Sequence, residues 1–110
     1  MLPKVLKENV TESNFEEIYS ILSKLHYDDL SSRTRKIVRE RFVEIQKGNC
    51  YFCGKNLTIQ PERKIEINWS LFPIGFDTYP VHLHHCHENS KCLGAVHAYC
   101  NAILWQYFGE

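Results

Sequence analysis

Cysteine and histidine recur at two-residue spacing at two separated points of the chain, and this pattern constrains the fold more than any other feature. Cys50 and Cys53 enclose two residues, and a glycine follows the second cysteine. His97 and Cys100 repeat the spacing near the C-terminus. Two such pairs joined by a loop are the ligand arrangement of a closed tetrahedral zinc site. The spacing therefore predicts a structural Zn2+ held by these four side chains.

One alternative stays open from the residues alone. His97 could pack in the core as an ordinary histidine, with Cys86 or Cys92 completing the zinc site. Neither of these cysteines stands at two-residue spacing from Cys100. The spacing therefore favours His97 as the fourth ligand.

Length, charge and hydropathy limit the class of protein. The chain has 110 residues, the size of one domain. Its 13 basic and 13 acidic side chains cancel, so overall charge does not indicate a nucleic-acid partner. The sequence shows neither the apolar segment of a signal peptide nor an apolar stretch of membrane-spanning length. We therefore expect a cytoplasmic protein, in which clustered cysteines bind metal rather than form disulfides.

Periodicity predicts an α+β fold, with N-terminal helices followed by a β-hairpin and a last helix. A capping box at Ser13 and Glu16 opens a helix over 13–26, and a second helix runs from Ser31 or Ser32 to Gly48. Predicted strands and the last helix follow at Lys64–Trp69, Val81–Cys86, Cys92–Val96 and Ala98–Phe108. This divides the chain into a helical region, 1–48, packed on a zinc-stapled core, 49–110.

Residues 82–87 read HLHHCH and have no part in the predicted zinc site. A row of imidazoles beside a closed zinc site indicates either a second, open metal site or acid–base chemistry. Consecutive His84 and His85 would lie on opposite faces of a regular strand, so the strand has to twist or end there.

Together these motifs resemble the His-Me finger (HNH) endonucleases, most closely those similar to phage recombination endonuclease VII. The resemblance covers residues 33–108 and implies a ββα-metal core. It rests on a basic helix entering a zinc knuckle, and on Cys50-x-x-Cys53, His84-His85-Cys86-His87, Lys91, Gly94 and His97-x-x-Cys100-Asn101.

The resemblance implies a metal-dependent DNA endonuclease. His85 takes the place of the general base, while His84 and Asn101 take the places of the ligands of a catalytic Mg2+ or Mn2+. Leu104 stands where endonuclease VII has an acidic residue, so His87 or Glu88 would have to compensate. DNA, branched or phage-related, is the implied substrate, in a bacterial or phage-infected cell. A homodimer would supply the two sites that cutting both strands requires.

Nucleic-acid contacts are expected from Arg35 and Arg39 on the basic helix and from Lys91 in the hairpin. A solvated helix face is the alternative reading of that basic run. Trp69 and Phe72 either meet unstacked bases or, as large aromatics more often do, fill the core.

Departures from the family pattern favour other functions. Ser90 stands where the subfamily has glycine, and Leu93 where it has arginine. Asn89 is either the middle residue of the H-N-H trio or an ordinary turn asparagine. The missing subfamily residues and the neutral net charge favour a catalytically inactive zinc module that binds nucleic acid or protein as the alternative function. The cysteine usage leaves a structural or redox thiol protein as a third.

Overall fold

Three α-helices and a two-stranded antiparallel sheet form the framework of the computed structural model, which describes residues 2–109. The α+β class predicted from the sequence is confirmed. Short 3-10 turns at Lys4–Lys7, Tyr27–Asp29 and Trp69–Leu71 lie in the connecting segments. The main elements are α1 (Phe15–Leu22), α2 (Ser32–Ile45), β1 (Val81–His85), β2 (Cys92–His97) and α3 (Ala98–Phe108).

Helix α1 is shorter than predicted, and its N-terminus is built differently. Asn14 is the N-cap residue. Its Oδ1 accepts a hydrogen bond from the backbone N–H of Thr11 at 2.7 Å, and its amide donates to the carbonyl of Asn9 at 3.0 Å. The asparagine therefore fixes the loop before the helix, and the predicted capping box of Ser13 and Glu16 is wrong.

Helix α2 begins at the predicted position and carries its apolar stripe toward the core. The side chain of Ser31 caps it by accepting a hydrogen bond from the N–H of Thr34 at 3.3 Å. Val38 and Phe42 are buried on its inner face. Gly48 lies just past the helix with φ 77°, a left-handed conformation that glycine adopts without strain.

One cation of α2 is structural. Arg41 is 8% exposed, and its Nη1 donates to the carbonyl of Glu8 at 2.5 Å and to Oδ1 of Asn9 at 3.2 Å. The same guanidinium lies 3.3 Å from the carboxylate of Glu44. Arg41 therefore ties the N-terminal segment to α2 and is not available to a ligand.

A bulge in the hairpin separates the environments of the two consecutive histidines. The register pairs His84 with Gly94 and His85 with Cys92, so that Leu93 is an extra residue on β2. A bulge bends the strand and re-aims the side chains next to it. The irregularity that the sequence required at this point is therefore confirmed.

The segment before α2 lies along the end of the hairpin. The N–H of Tyr27 donates to the carbonyl of Ser90 at 2.6 Å, and the N–H of Asp28 to its hydroxyl at 2.9 Å. The N–H of Cys92 donates to the carbonyl of Leu25 at 2.9 Å. Ser90 has φ 67°, which accounts for the glycine that the resembled pattern has there.

The core joins the N-terminal helices to the hairpin and the last helix. Ile18 and Leu22 of α1 are fully buried, as are Leu6 and Val96. The helical region thus packs directly on the hairpin. Members of this cluster come from every helix and both strands: Leu6, Ile18, Leu22, Val38, Phe42, Cys50, Leu83, Val96, Cys100 and Leu104.

The strand predicted over Lys64–Trp69 is wrong, because this segment is irregular up to the 3-10 turn. Ile67 is buried while Ile65 is 46% exposed, which reproduces the apolar alternation without a strand. The hydroxyl of Tyr99 donates to the carbonyl of Ile65 and accepts from its N–H, both at 2.7 Å. A side chain of α3 therefore satisfies the backbone groups that a neighbouring strand would have satisfied.

Gly94 lies where two side chains cross β2. A Cβ at this position would lie 2.8 Å from the ring of Tyr51 and 2.8 Å from Oε1 of Gln46. That Oε1 accepts a hydrogen bond from the N–H of Ala95 at 2.7 Å, and the Gln46 amide donates to the Ala95 carbonyl at 2.9 Å. The close approach requires glycine.

We expect Gly94→Ala to lower the free energy of unfolding by about 1–3 kcal/mol, the usual cost of overpacking a filled site. Denaturant unfolding measures this loss, and hydrogen exchange should show weaker protection of the Ala95 amide. Gly54→Ala is the control, since a Cβ there meets no atom within 4 Å although φ is 76°. It should be strained locally and leave Ala95 protected; equal protection in both variants would contradict the steric assignment.

Candidate metal centre and histidine cavity

Four side chains from the knuckle and the start of α3 form a compact ligand set. Cys50, Cys53, His97 and Cys100 offer ligand atoms that all lie within 4.8 Å of one another. Nδ1 of His97 lies 3.5 Å from Sγ of Cys53 and 3.6 Å from Sγ of Cys100. Tetrahedral zinc with Zn–S of about 2.3 Å and Zn–N of about 2.0–2.1 Å places sulfur and nitrogen about 3.6 Å apart. The cluster predicted from the spacing is confirmed, and its geometry is compatible with a structural zinc ion.

The remaining two cysteines lie outside this cluster. Cys92 is buried in the main core, where burial raises the pKa of its thiol to about 11. Cys86 is half-buried directly after β1. The alternative in which one of them replaces His97 is therefore wrong.

The backbone around the knuckle prepares His97 as a ligand. Its Nε2 lies 2.9 Å from the carbonyl oxygens of both Asn56 and Ile59, and donates its proton to them. Because the proton is held at Nε2, the lone pair of Nδ1 faces the sulfur atoms. Outer hydrogen bonds of this kind fix the tautomer and orientation of metal-binding histidines.

The closely spaced thiols of the cluster shift one another's pKa in opposite directions. A hydrogen bond with the Cys100 thiol lowers the pKa of Cys50 to about 4. The same hydrogen bond, followed by burial, raises the pKa of Cys100. The N–H of Cys53 also points at Sγ of Cys50, 3.5 Å away. A divalent cation would relieve this conflict, because it stabilises all the thiolates together.

A cavity of about 790 Å3 opens between α2, β1, α3 and the loop before β1. Its walls differ in chemistry: cations on α2, imidazoles on β1 and just beyond, aromatic rings on the loop and α3. Within residues 2–109 no carboxylate lines it. The lining includes Arg35, Lys36, Arg39, His82, His85, His87, Asn101, Tyr27, Phe72, Phe76, Tyr79 and Trp105.

His82 is the imidazole that contacts Asn101. The amide of Asn101 donates to Nδ1 of His82 at 3.1 Å, joining the first turn of α3 to β1. The ring of Phe76 meets His82 edge-on with centroids 4.7 Å apart. Burial, followed by the nearby charge of Arg39, lowers the pKa of His82, whereas hydrogen bonds to the Phe76 and Tyr79 backbones and the charge of Asp77 oppose the shift. His82 had no assigned role in the sequence pattern, and the structure adds it to the site.

His84 has a different setting. It is 2% exposed, and its ring centroid lies 6.2 Å from that of Tyr51 in the knuckle. Its neighbours His82 and His85 line the cavity, whereas His84 is not among the described lining residues. Its pairing with Asn101 around a divalent ion stays a prediction.

His85 lies in the cavity with one face covered. The ring of Tyr27 stacks on it, with centroids 3.8 Å apart and planes 6° apart. The exposed His87 lies on the same side of the cavity, its ring centroid 4.9 Å from that of His85. Burial, followed by the charge of His87, lowers the pKa of His85, while Asp28 opposes the shift. A neutral imidazole facing a cavity can accept a proton near neutral pH.

The predicted nucleic-acid contacts separate into two settings. Arg35 and Arg39 line the cavity, together with Lys36, which the sequence analysis did not single out. Lys91 is exposed at the end of the hairpin and is not among the described residues that line the cavity. Asn89 accepts a hydrogen bond from the N–H of Lys91 at 2.9 Å, which is the behaviour of a turn asparagine.

The two aromatic residues of the loop differ in setting: Phe72 packs in the interior, whereas Trp69 is 37% exposed, so the expectation that both fill the core holds for Phe72 alone. Phe72 packs against a second small core of Ile67, Tyr99, Ala102 and Ile103 and also lines the cavity. Trp69 lies 5.8 Å from it, centroid to centroid.

Comparison with protein-family models, curated proteins and solved structures gave no match for this chain. Across residues 2–109, every helix is too short or too polar to cross a lipid bilayer.

Proposed function

We propose that the protein is a metal-dependent DNA endonuclease whose hairpin and last helix are held by a structural zinc ion. The observation that carries the proposal is the cavity itself. It brings imidazoles, an asparagine amide and the cations of α2 together, with no carboxylate among its described lining residues. Such a surface suits a phosphodiester, which needs positive charge for its oxygens and a base for the attacking water.

The pair of His82 and Asn101 fits a divalent ion. Their side-chain nitrogens lie 3.1 Å apart, and rotation of the amide presents its oxygen at the same point. Two cis ligands of an octahedral ion, each about 2.1 Å from it, are separated by about 3.0 Å. When bound, Mg2+ or Mn2+ would neutralise charge on the phosphate and the leaving oxygen. This assignment moves the ligand role from buried His84 to His82, which faces the cavity.

His85 is the general base of the proposal. Its ring faces the same cavity as His82 and Asn101, and its pKa is lowered, so the neutral form prevails at cellular pH. In that form it removes a proton from water as the water oxygen bonds to phosphorus and the bond from phosphorus to the leaving sugar oxygen breaks. His87, whose ring centroid lies 4.9 Å from that of His85, would share or relay that proton.

The zinc cluster supports the site mechanically. His97 and Cys100 flank the junction of β2 and α3, and Asn101 follows directly. Holding this junction to the knuckle fixes the first turn of α3 against β1. The position of Asn101 relative to His82 therefore depends on the zinc ligands.

A supercoiled plasmid tests the proposal. Zinc-loaded protein with Mg2+ or Mn2+ should convert it to open-circular or linear DNA. EDTA should stop the reaction when added in an amount that leaves the protein folded. If no metal supports cutting of supercoiled, linear or branched DNA, the nuclease proposal fails.

A second candidate function is a zinc-stabilised module that binds nucleic acid without cutting it. The observation that favours it is the lack of a carboxylate ligand among the described lining residues, since Mg2+ is ordinarily bound through one or two carboxylates. Binding of DNA with no cleavage under any metal would select this candidate.

We expect the cations of α2 to contact phosphates. Replacing Lys36 and Arg39 by glutamine should weaken DNA binding and reduce the slope of log affinity against log salt by about 2 for two lost contacts. Fluorescence anisotropy at several salt concentrations measures both. Arg35 is left unchanged in this variant, because its guanidinium already donates hydrogen bonds to the carbonyl of Tyr27.

The matched control for this experiment is Arg33→Gln. Arg33 is exposed on the same helix but is not among the described residues that line the cavity. This variant should retain nearly the full slope. If the control and the double variant lost the same slope per charge, α2 would act as a diffuse basic face rather than as one wall of a binding site.

A further inference from the structure

The candidate base His85 belongs to a three-layer stack. The ring of Tyr27 lies parallel to the imidazole at 3.8 Å, and Cζ of Arg35 lies 3.8 Å from the centroid of the same ring. One ring face has room for only one planar group at this distance, so Arg35 and His85 cover opposite faces. The order is therefore guanidinium, phenol, imidazole.

Hydrogen bonds also hold the backbone of Tyr27. Its N–H donates to the carbonyl of Ser90 at 2.6 Å. Its carbonyl accepts from Nε and Nη2 of Arg35 at 3.2 and 3.0 Å. The hairpin backbone and the Arg35 side chain thus hold the backbone of Tyr27 on both sides, and its ring has a defined plane against which the imidazole packs.

His85 needs such a support because of its place in the hairpin. It is the last residue of β1, next to the bulge, where regular strand pairing ends. A histidine at a strand end has free rotation about two side-chain bonds unless a neighbour restricts it. A general base must be aimed at its proton, and a misplacement of about 1 Å can cost on the order of 100-fold in rate.

We infer that Tyr27 is a positioning residue for cleavage: its ring sets the orientation of the His85 imidazole, and Arg35 acts through it. This inference rests on the proposed nuclease function. It assigns a role to the segment 25–29, which lies outside the part of the chain that resembles the nuclease family. The N-terminal region would then complete the active site as well as pack on it.

Two substitutions at Tyr27 test the inference. Tyr27→Phe keeps the ring, so we expect kcat within about 2-fold of wild type. Tyr27→Leu keeps apolar bulk but removes the ring, and should lower kcat by about 10- to 100-fold with little change in KM. A merely structural role would predict lower stability with the same kcat per folded molecule, so zinc content and melting temperature are measured alongside.

A spectroscopic readout separates the stack from the chemistry. In zinc-loaded protein without Mg2+, the ring protons of His85 should show an upfield ring-current shift that persists in Tyr27→Phe and is lost in Tyr27→Leu. Tyr19→Leu, on an exposed part of α1, is the control and should change neither the shift nor kcat. If Tyr27→Leu fails to fold, Arg35→Met should still reduce the shift and kcat together, since it uncovers the other face of the ring.

The outcomes distinguish this inference from the function on which it rests. If wild type cuts no DNA, the proposed function fails, and the positioning role fails with it even if the ring-current shift is present. If wild type cuts and Tyr27→Leu loses the shift but keeps kcat, the nuclease stands and only the inference is overturned. A loss of kcat with an unchanged shift also overturns it.

Discussion

Cys53→Ser should abolish stoichiometric zinc binding and unfold most of the protein. In small zinc domains the binding energy of the metal is folding energy, roughly 10–16 kcal/mol. That is as large as the whole free energy of unfolding of a typical domain, about 5–15 kcal/mol, so little stability remains when the zinc is lost. Elemental analysis and far-ultraviolet circular dichroism measure the two losses. Strong chelation of the wild type should reproduce them.

Cys86→Ser is the matched control for this prediction. It makes the same substitution at the residue directly after β1, which lies outside the ligand cluster. Zinc content should remain at one equivalent, with only a small change in melting temperature. If Cys53→Ser kept its zinc, its helical signal and its melting temperature, the cluster would not be a structural metal site.

The zinc ligands could be predicted from sequence because their information is local. Two residues between ligands place both sulfurs of a knuckle within reach of one ion, whatever the rest of the fold does. The helix over Ala98–Phe108 was also predictable, since its apolar residues and Gly109 at the end are short-range signals. Such features depend on neighbours along the chain.

His82 was not identified because its contact depends on register. The pairing of Val81 with His97 brings the start of β1 beside the first turn of α3, which contains Asn101. The sequence motif instead pointed to His84, two residues further along the strand. A shift of two residues keeps the same face of a strand, so residue type and alternation cannot decide between them.

Tyr27 escaped the sequence analysis for a related reason. It is separated from His85 by 58 positions, and its stacking follows from backbone bonds between the segment before α2 and Ser90. No periodicity or motif records a contact of that kind. The strand wrongly predicted over Lys64–Trp69 shows the converse, because the hydroxyl of Tyr99 replaces the expected strand partner.

The roles of His82 and His84 can be separated by metal dependence. On the proposed geometry, His82→Ala and Asn101→Ala remove ligands of the divalent ion, so excess Mn2+ should restore part of their activity. His84→Ala should act mainly through packing, because the ring is 2% exposed. Its effect should follow stability and not the concentration of Mn2+. If Mn2+ rescued His84→Ala and not His82→Ala, the frame predicted from the sequence would be the correct one.

His85→Ala should lower the cleavage rate by roughly 100-fold or more, the usual contribution of a positioned general base. Zinc content, melting temperature and DNA affinity should change little. This half-buried imidazole is neither a member of the zinc cluster nor one of the two proposed ligands of the divalent ion. Added imidazole should restore part of the rate, since it can enter the space left beside Tyr27. Excess Mn2+ should not.

The pH dependence of wild type provides the second signature of the same residue. Only neutral His85 can accept the proton, so the rate should rise with pH and level off once the imidazole is deprotonated. Burial and the charge of His87 lower its pKa, which puts the midpoint below the ordinary value of about 6.5 for histidine. His87→Gln should move the midpoint upward, toward that ordinary value, because it removes a positive charge. If His85→Ala cut DNA at the wild-type rate, or if the midpoint of the pH profile were the same in His87→Gln as in wild type, another group would be the one that accepts the proton.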